Sequence, residues 1–245
     1  MLGLITGANR GLGYELVKEG LKRGHTMLAA CRCVEKERAE DLWKLKEVYQ
    51  GRLCILKMDV TKEEEVKQAA DTVKAEWGKM DFLINNAGVL FEKMVMPGDC
   101  IGDLDIEMLR KTLDVNIIGT AMVLKYFIWL LYGSESACIM NITSEAGHLT
   151  PEGYNYLAYS VSKHGANMYT QKIRNYLKEE KQEKNITHHR QYGDLILYCL
   201  CGDDGIFPLH GAANRGCDVH AGRSSGGNGS VSDDLFCWYS VYHSI

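Results

Sequence analysis

The sequence predicts an α/β protein built on a doubly wound parallel sheet. Three observations predict it: strand-length apolar runs alternate with longer amphipathic stretches, a glycine-rich turn follows the first run directly, and polar residues of chemical interest cluster where later runs end. Leu2 to Thr6, Thr26 to Cys31, Leu53 to Met58, Phe82 to Asn86 and Cys138 to Thr143 read as buried strands. The helix-like stretches are Leu12 to Lys22, Glu35 to Tyr49, Glu63 to Trp77, a long one near Leu104 to Tyr132, and Tyr156 to Lys178. Thr61 followed by Glu64 resembles a capping box at the start of the third. Strand–helix alternation implies right-handed crossovers, and ligands of such sheets bind beyond the carboxyl ends of the strands.

With 245 residues, 46% of them apolar, and a net charge of −4, the chain has the makings of one sizeable core and an ordinary soluble surface. It has no basic excess to hold nucleic acid and no polybasic cluster for a membrane surface. The most apolar stretch, Ala121 to Tyr132, is interrupted by Lys125 and is too short to span a bilayer, so it reads as a buried or interface helix. Met1 to Thr6 lack the charged start and long apolar run of a secretory signal, and nine irregularly spaced cysteines read as free thiols in a reducing compartment. A cytoplasmic location is therefore expected, where the sequons at Asn141, Asn185 and Asn228 carry no glycan.

The first strand runs into Thr6-Gly7-Ala8-Asn9-Arg10-Gly11-Leu12-Gly13. Glycines at 7, 11 and 13 permit a tight turn, close approach of backbone to a pyrophosphate, and close helix–strand packing. The helix that follows turns its N-terminal amides toward the phosphates. At the end of the second strand an acidic residue would bind the adenosine ribose 2′-hydroxyl and favour NAD(H). Cys31 and Arg32 stand there instead, and Arg10 projects from the glycine loop. Two guanidiniums suit a 2′-phosphate, so NADP(H) is expected in preference to NAD(H), although two surface arginines would give the same string.

Tyr159 and Lys163 lie four apart in Tyr159-Ser160-Val161-Ser162-Lys163, on one face of a helix. A free tyrosine has a pKa near 10, and an adjacent cation favours its phenolate; reaching about 7 needs roughly 4 kcal/mol. Such a phenol could protonate a carbonyl oxygen or deprotonate an alcohol. Tyr154 and Tyr156 have no lysine four residues on and are expected to line the substrate entrance or pack in the loop; Phe91, Met94 and Met96 are candidates for the cleft wall or for the core.

Over residues 1 to about 186 the chain resembles the short-chain dehydrogenase/reductase family, most closely its carbonyl-reductase and C-factor-like members. The matching motifs are the Thr6–Gly13 loop, Asp59-Val60 after the third strand, Asn85-Asn86-Ala87-Gly88 after the fourth, Asn116 in the long helix, Ser144 after the fifth strand, and Tyr159 with Lys163. The resemblance implies a single Rossmann-fold domain. Its cofactor contacts fall on Thr6, Gly7, Asn9, Arg10, Gly11, Leu12, Gly13, Arg32, Asp59, Val60, Asn86, Ala87, Gly88, Tyr159 and Lys163. It also implies hydride transfer between nicotinamide and a small carbonyl or alcohol. Tyr159 would be the general acid/base, Lys163 would lower its pKa and hold the nicotinamide ribose, and Ser144 would position the carbonyl oxygen. Asn116 would support a water between Lys163 and solvent, though it also reads as a helix-interior Asn bonded to a backbone carbonyl. No metal is implied, and a homodimer or homotetramer through the long and catalytic helices is expected.

All 18 lysines and all 18 glutamates lie within residues 1–185, so residues 187–245 form an atypical Gly/Cys/His-rich tail. Two explanations stand: a separate small tail, or a reading-frame or splicing change near Ile186. Family members continue into a sixth strand ending Pro-Gly, but residues 190–194 read Arg190-Gln191-Tyr192-Gly193-Asp194. Leu195 to Cys201 could form one more strand. The carboxamide anchor, substrate lid and last strand are otherwise unrecognisable, which leaves a sheet edge expected to be exposed and a tail expected to be loosely packed. Cys199, Cys201, Cys217, His210 and His220 match no compact zinc spacing. Two alternatives to an enzyme follow: a non-catalytic nucleotide-binding regulator of the same fold, or an inactive frame-disrupted product.

Overall fold

The computed structural model describes residues 1–92, 99, 101–134, 137–148 and 155–183, together with strand segments at 196–200 and 206–207. Its elements are β1 (Leu2–Thr6), α1 (Gly11–Lys22), β2 (Thr26–Cys31), α2 (Glu40–Val48), β3 (Leu53–Lys57), α3 (Glu63–Trp77), β4 (Phe82–Asn85), α4 (Ile106–Leu113), α5 (Thr120–Leu131), β5 (Cys138–Ile142), α6 (Leu157–Glu183), β6 (Ile196–Leu200) and β7 (Ile206–Phe207). A π turn, Asp114–Gly119, joins α4 to α5, and a short 3₁₀ turn, Glu145–Gly147, follows β5. The sheet order is β3-β2-β1-β4-β5-β6-β7, parallel throughout except for β7. The chain winds outward in both directions from the β1/β4 pair, which is where such a sheet opens a crevice for a ligand.

Alternation along the strands supplies both faces. Leu4, Leu28, Leu83 and Ile139 pack with Val66, Val73, Val123, Leu124 and Phe127 of α3 and α5. Their neighbours Ile5, Ala29, Ile84 and Met140 face Leu16, Val17, Leu21 and Leu42 of α1 and α2. A strand buried on both faces reads as a continuous apolar run, which is why these runs were so plain in the sequence.

Several expectations shift. The second helix begins at Glu40, not Glu35, because Glu35 to Ala39 close turns in which Arg38 N and Ala39 N both donate to Glu35 O. The Thr61/Glu64 capping box does not form: Thr61 Oγ1 and N donate to Asp59 Oδ1, and Glu65, not Glu64, accepts from Asp59 N. The long helix starts at Ile106, where Asp105 Oδ1 accepts from Met108 N (2.9 Å). With its π turn it runs from Ile106 to Leu131, long and apolar enough to cross a membrane, so the shortness of Ala121 to Tyr132 excludes nothing. Here its buried face packs on the sheet through Val123, Leu124, Phe127 and Leu130.

The edge of β5 is covered by β6, which pairs with it in parallel register from Cys138↔Ile196 to Ile142↔Leu200. On its other side β6 pairs with the two-residue β7 through Cys199↔Phe207 and Leu200↔Ile206. The packing of the rest of the tail, and the side chains of Met94, Met96, Tyr154, Cys199, Cys201, His210, Cys217 and His220, lie outside the described residues. Asn141, a sequon residue, is 2% exposed in β5, so it offers no glycan acceptor in the folded chain.

Phe127 is fully buried between α5 and the sheet. Phe127→Ala should lower unfolding stability by about 3–5 kcal/mol, read from urea titration.

Candidate active site

The crevice at the β1/β4 switch point is stitched by two side chains. Thr6 Oγ1 accepts from Asn86 N (3.0 Å) and Ala87 N (2.9 Å). In return, Asn86 Nδ2 donates to Thr6 O (2.9 Å) and Gly7 O (3.2 Å). The glycine loop is thereby fixed to the loop after β4. Its close approach leaves no room for side chains: a Cβ at Gly7 would lie 2.9 Å from Ala87 Cα, and one at Gly13 would lie 2.5 Å from Gly7 O. Gly7 and Gly11 have φ of 65° and 55°, which glycine adopts without strain.

A Cβ on Gly11 would meet nothing within 4 Å, so the loop is open toward solvent at the start of α1. No side chain caps this helix and its first turn carries no acidic residue. Its first amides and the positive end of its dipole are thus available to an anion, which fits a dinucleotide pyrophosphate. Asn9 is half-buried beside exposed Arg10. Exposed Arg32 follows buried Cys31 at the end of β2, without a carboxylate at either position. Asp59 is tied to Thr61, and Val60 is buried against the π turn, where a Cβ at Gly119 would come within 2.7 Å of Val60 Cγ2.

The second half of the site is built by α6. Lys163 is 5% exposed, and its Nζ donates to Ile142 O (2.9 Å) at the end of β5. The ammonium lies 5.5 Å from the centroid of the Tyr159 ring. Ser144, two residues beyond β5, hydrogen-bonds the Tyr159 phenol. The Ser144 turn docks on α6 through Gly147, whose carbonyl meets His164 Nδ1 (2.9 Å) and Asn167 Nδ2 (3.3 Å). Gly88 faces the same cluster: a Cβ there would lie 3.4 Å from Asn116 Oδ1 and 3.5 Å from Lys163 Nζ.

Burial is the first influence on the phenol. Burial pushes the Tyr159 phenol above its ordinary value, and the Ser144 hydrogen bond offsets this only in part. The Lys163 ammonium donates to the Ile142 carbonyl and lies 5.5 Å from the ring centroid. Asn116 is likewise committed. Its Oδ1 accepts from Val89 N (2.8 Å), and its Nδ2 donates to Val89 O (3.0 Å) and Ser162 Oγ (2.9 Å). Its position in a π turn is one that functional sites often use.

Sequence reasoning gave no supporting role to five residues that hold this arrangement. Ser162 is fully buried and donates to Tyr159 O (2.7 Å) while accepting from Asn116. Asn85 Nδ2 donates to Asn141 Oδ1 (2.8 Å), whose Nδ2 donates to Thr170 Oγ1 (2.8 Å). This buried polar chain binds the middle of α6 to β4 and β5. Glu92 is the fifth. Asn85, within Asn85-Asn86-Ala87-Gly88, and Ser162, adjacent to Lys163, left a local signal. Tyr156 is half-buried and Phe91 is 51% exposed, so Phe91 is not a core residue.

Comparison with known proteins gives a consistent answer. The family model for short chain dehydrogenase matches residues 2–187. A farnesol dehydrogenase of Aedes aegypti is 30% identical over 187 residues, covering 76% of this chain and 74% of the relative. An NADPH-dependent pterin aldehyde reductase of Arabidopsis thaliana is 33% identical over 150 residues, covering 59% and 56%. The match thus spans little more than half the length of that relative. Among solved structures, ElxO with NADP bound superposes with a TM-score of 0.63 at 26% identity, over 73% of this chain and 68% of that one.

Thr6 is 1% exposed, so Thr6→Val leaves the amides of Asn86 and Ala87 without their acceptor in the same space. The substitution should cost about 1–3 kcal/mol in denaturant unfolding.

Proposed function

Because the chain belongs to the short-chain dehydrogenase/reductase family, we propose that it is an NADP(H)-dependent oxidoreductase interconverting a small, mainly apolar carbonyl compound and its alcohol. The observation that carries this reading is the Ser144 hydroxyl set on the Tyr159 phenol, with Lys163 one helical turn further along α6. When bound, the nicotinamide cofactor supplies or accepts the hydride at the substrate carbon. The protein's own work is the proton. Tyr159, kept protonated by burial, donates it to the oxygen in reduction, and Ser144 holds that oxygen by a hydroxyl hydrogen bond. Lys163 supplies a fixed positive charge near a developing phenolate, which helps reprotonation and stabilises charge as it forms.

The cofactor preference rests on Arg10 and Arg32 and on the absence of a carboxylate at Cys31. The NADPH-dependent Arabidopsis reductase and the NADP bound to ElxO support the phosphorylated cofactor. An apolar substrate is favoured by Leu90 and Phe91, about half exposed on the loop after Gly88, and by the farnesol-oxidising relative. A homodimer or homotetramer is supported by apolar surface on the long helix (Ile118, Trp129) and on α6 (Val161, Met168, Tyr176). Free thiols at Cys31, Cys33, Cys54 and Cys138 are consistent with a reducing, cytoplasmic setting.

Tyr159→Phe should reduce kcat for carbonyl reduction by at least about 100-fold while NADPH affinity, read by fluorescence titration, moves less than about twofold. Retained turnover sinks the assignment. Since the folded phenol titrates above its usual value, the protonated form persists through neutral pH. Reduction should therefore stay level from pH 6 to 8, whereas alcohol oxidation, which needs the phenolate, should climb with pH. Arg32→Ala should weaken NADPH about 10- to 100-fold and leave NADH nearly unchanged, because it removes charge-assisted bonds to the 2′-phosphate alone.

A further inference from the structure

Glu92 is a buried carboxylate that the proposed chemistry leaves unused. It is 7% exposed and lies four residues beyond Gly88, on the segment leaving β4. Its two oxygens accept from Ala158 N (2.9 Å) and Tyr159 N (2.8 Å), in the first turn of α6. The first amides of a helix have no intrahelical acceptor, and a short polar residue at the N-cap ordinarily takes them. At α6 that residue is Tyr156: its carbonyl opens the helix by accepting from Ser160 N (2.7 Å). Tyr156 has no short polar side chain to fold back, and its φ of 57° places a bulky side chain in the left-handed region. The local chain thus provides neither the cap nor a relaxed entry into the helix. A carboxylate 66 residues upstream in sequence provides the cap, and its negative charge meets the positive end of the helix dipole.

From this geometry we infer that Glu92 is the positioning residue for Tyr159, clamping the backbone of the proton-transfer residue from the loop that leaves the nucleotide crevice. The inference rests on the hydride-transfer reading above. Tyr159 is held at two backbone points: its amide by Glu92, and its carbonyl by Ser162, which Asn116 holds in turn. Because Asn116 also grips Val89, three residues before Glu92, the loop and the catalytic helix are tied on both sides of the phenol. Glu92 touches neither phenol nor substrate in this scheme. It acts by fixing where the phenol stands relative to Ser144 and Lys163.

The test uses the full-length chain, with amide exchange read by NMR and steady-state kinetics run alongside. In Glu92→Ala, exchange at Ala158 and Tyr159 should accelerate at least about tenfold while exchange in the middle of α6 stays unchanged. For the same variant kcat should fall about 10- to 100-fold, with the KM for NADPH within about twofold of wild type. Glu92→Gln keeps one acceptor oxygen and should restore part of both losses; if the alanine variant does not fold, the glutamine variant carries the same two readings. Unchanged exchange at the two amides overturns the inference, and so does faster exchange with undiminished kcat. A merely architectural role would lower the melting temperature and raise the KM for NADPH in step with the loss of kcat, and that result also counts against it. A wild-type chain that reduces no carbonyl sinks the hydride-transfer reading instead, and exchange at the two amides then decides Glu92 alone.

Discussion

The reciprocal exchange of hydrogen bonds between Thr6 and Asn86 is the contact on which the rest of the site depends. It joins the two strands from which the sheet winds in opposite directions. A parallel switch point leaves a gap at the strand ends, since the connections depart to opposite faces. A gap of that kind is useful only if its two lips stay at a fixed separation. Thr6 and Asn86 fix it with four short bonds, two from each side chain, in a place too crowded for a Cβ on Gly7 or Gly13.

The electrostatics of the proton-transfer residues follow from burial more than from charge. Placing a tyrosine in a half-buried crevice penalises its phenolate, and the Ser144 hydrogen bond offsets that penalty only in part. The result is a phenol raised above its ordinary range, with a cation 5.5 Å from its ring centroid.

How much of this the sequence announces depends on the range over which each interaction acts. Strand and helix positions are legible because hydrophobic alternation is local: Leu4 and Ile5, or Leu83 and Ile84, face opposite layers whatever lies elsewhere in the chain. The Gly7/Gly11/Gly13 loop and the Tyr159/Lys163 pair are legible for the same reason, since their chemistry lies in short spacings. Boundaries fail where a local competitor wins, as when Asp59 captures Thr61 and spoils its capping box, or when the 35–39 turns delay α2. The supports fail altogether. Glu92 meets Ala158 across 66 residues, Asn85 meets Asn141 across 56, and Asn116 meets Ser162 across 46, distances at which spacing carries no information.

Those long separations have a consequence for how the molecule comes into being. The nucleotide loop and its first helix come from adjacent sequence, but the stitch that fixes the loop spans 80 residues, and the α6 half is likewise assembled from parts far apart in the chain. Closing such loops is the slow part of folding. The stitch needs the chain as far as Ala87, whereas the phenol needs it through α6 as well. The two lips of the crevice can therefore meet only after β4 has been made, and Tyr159 joins them only once α6 has closed on Glu92.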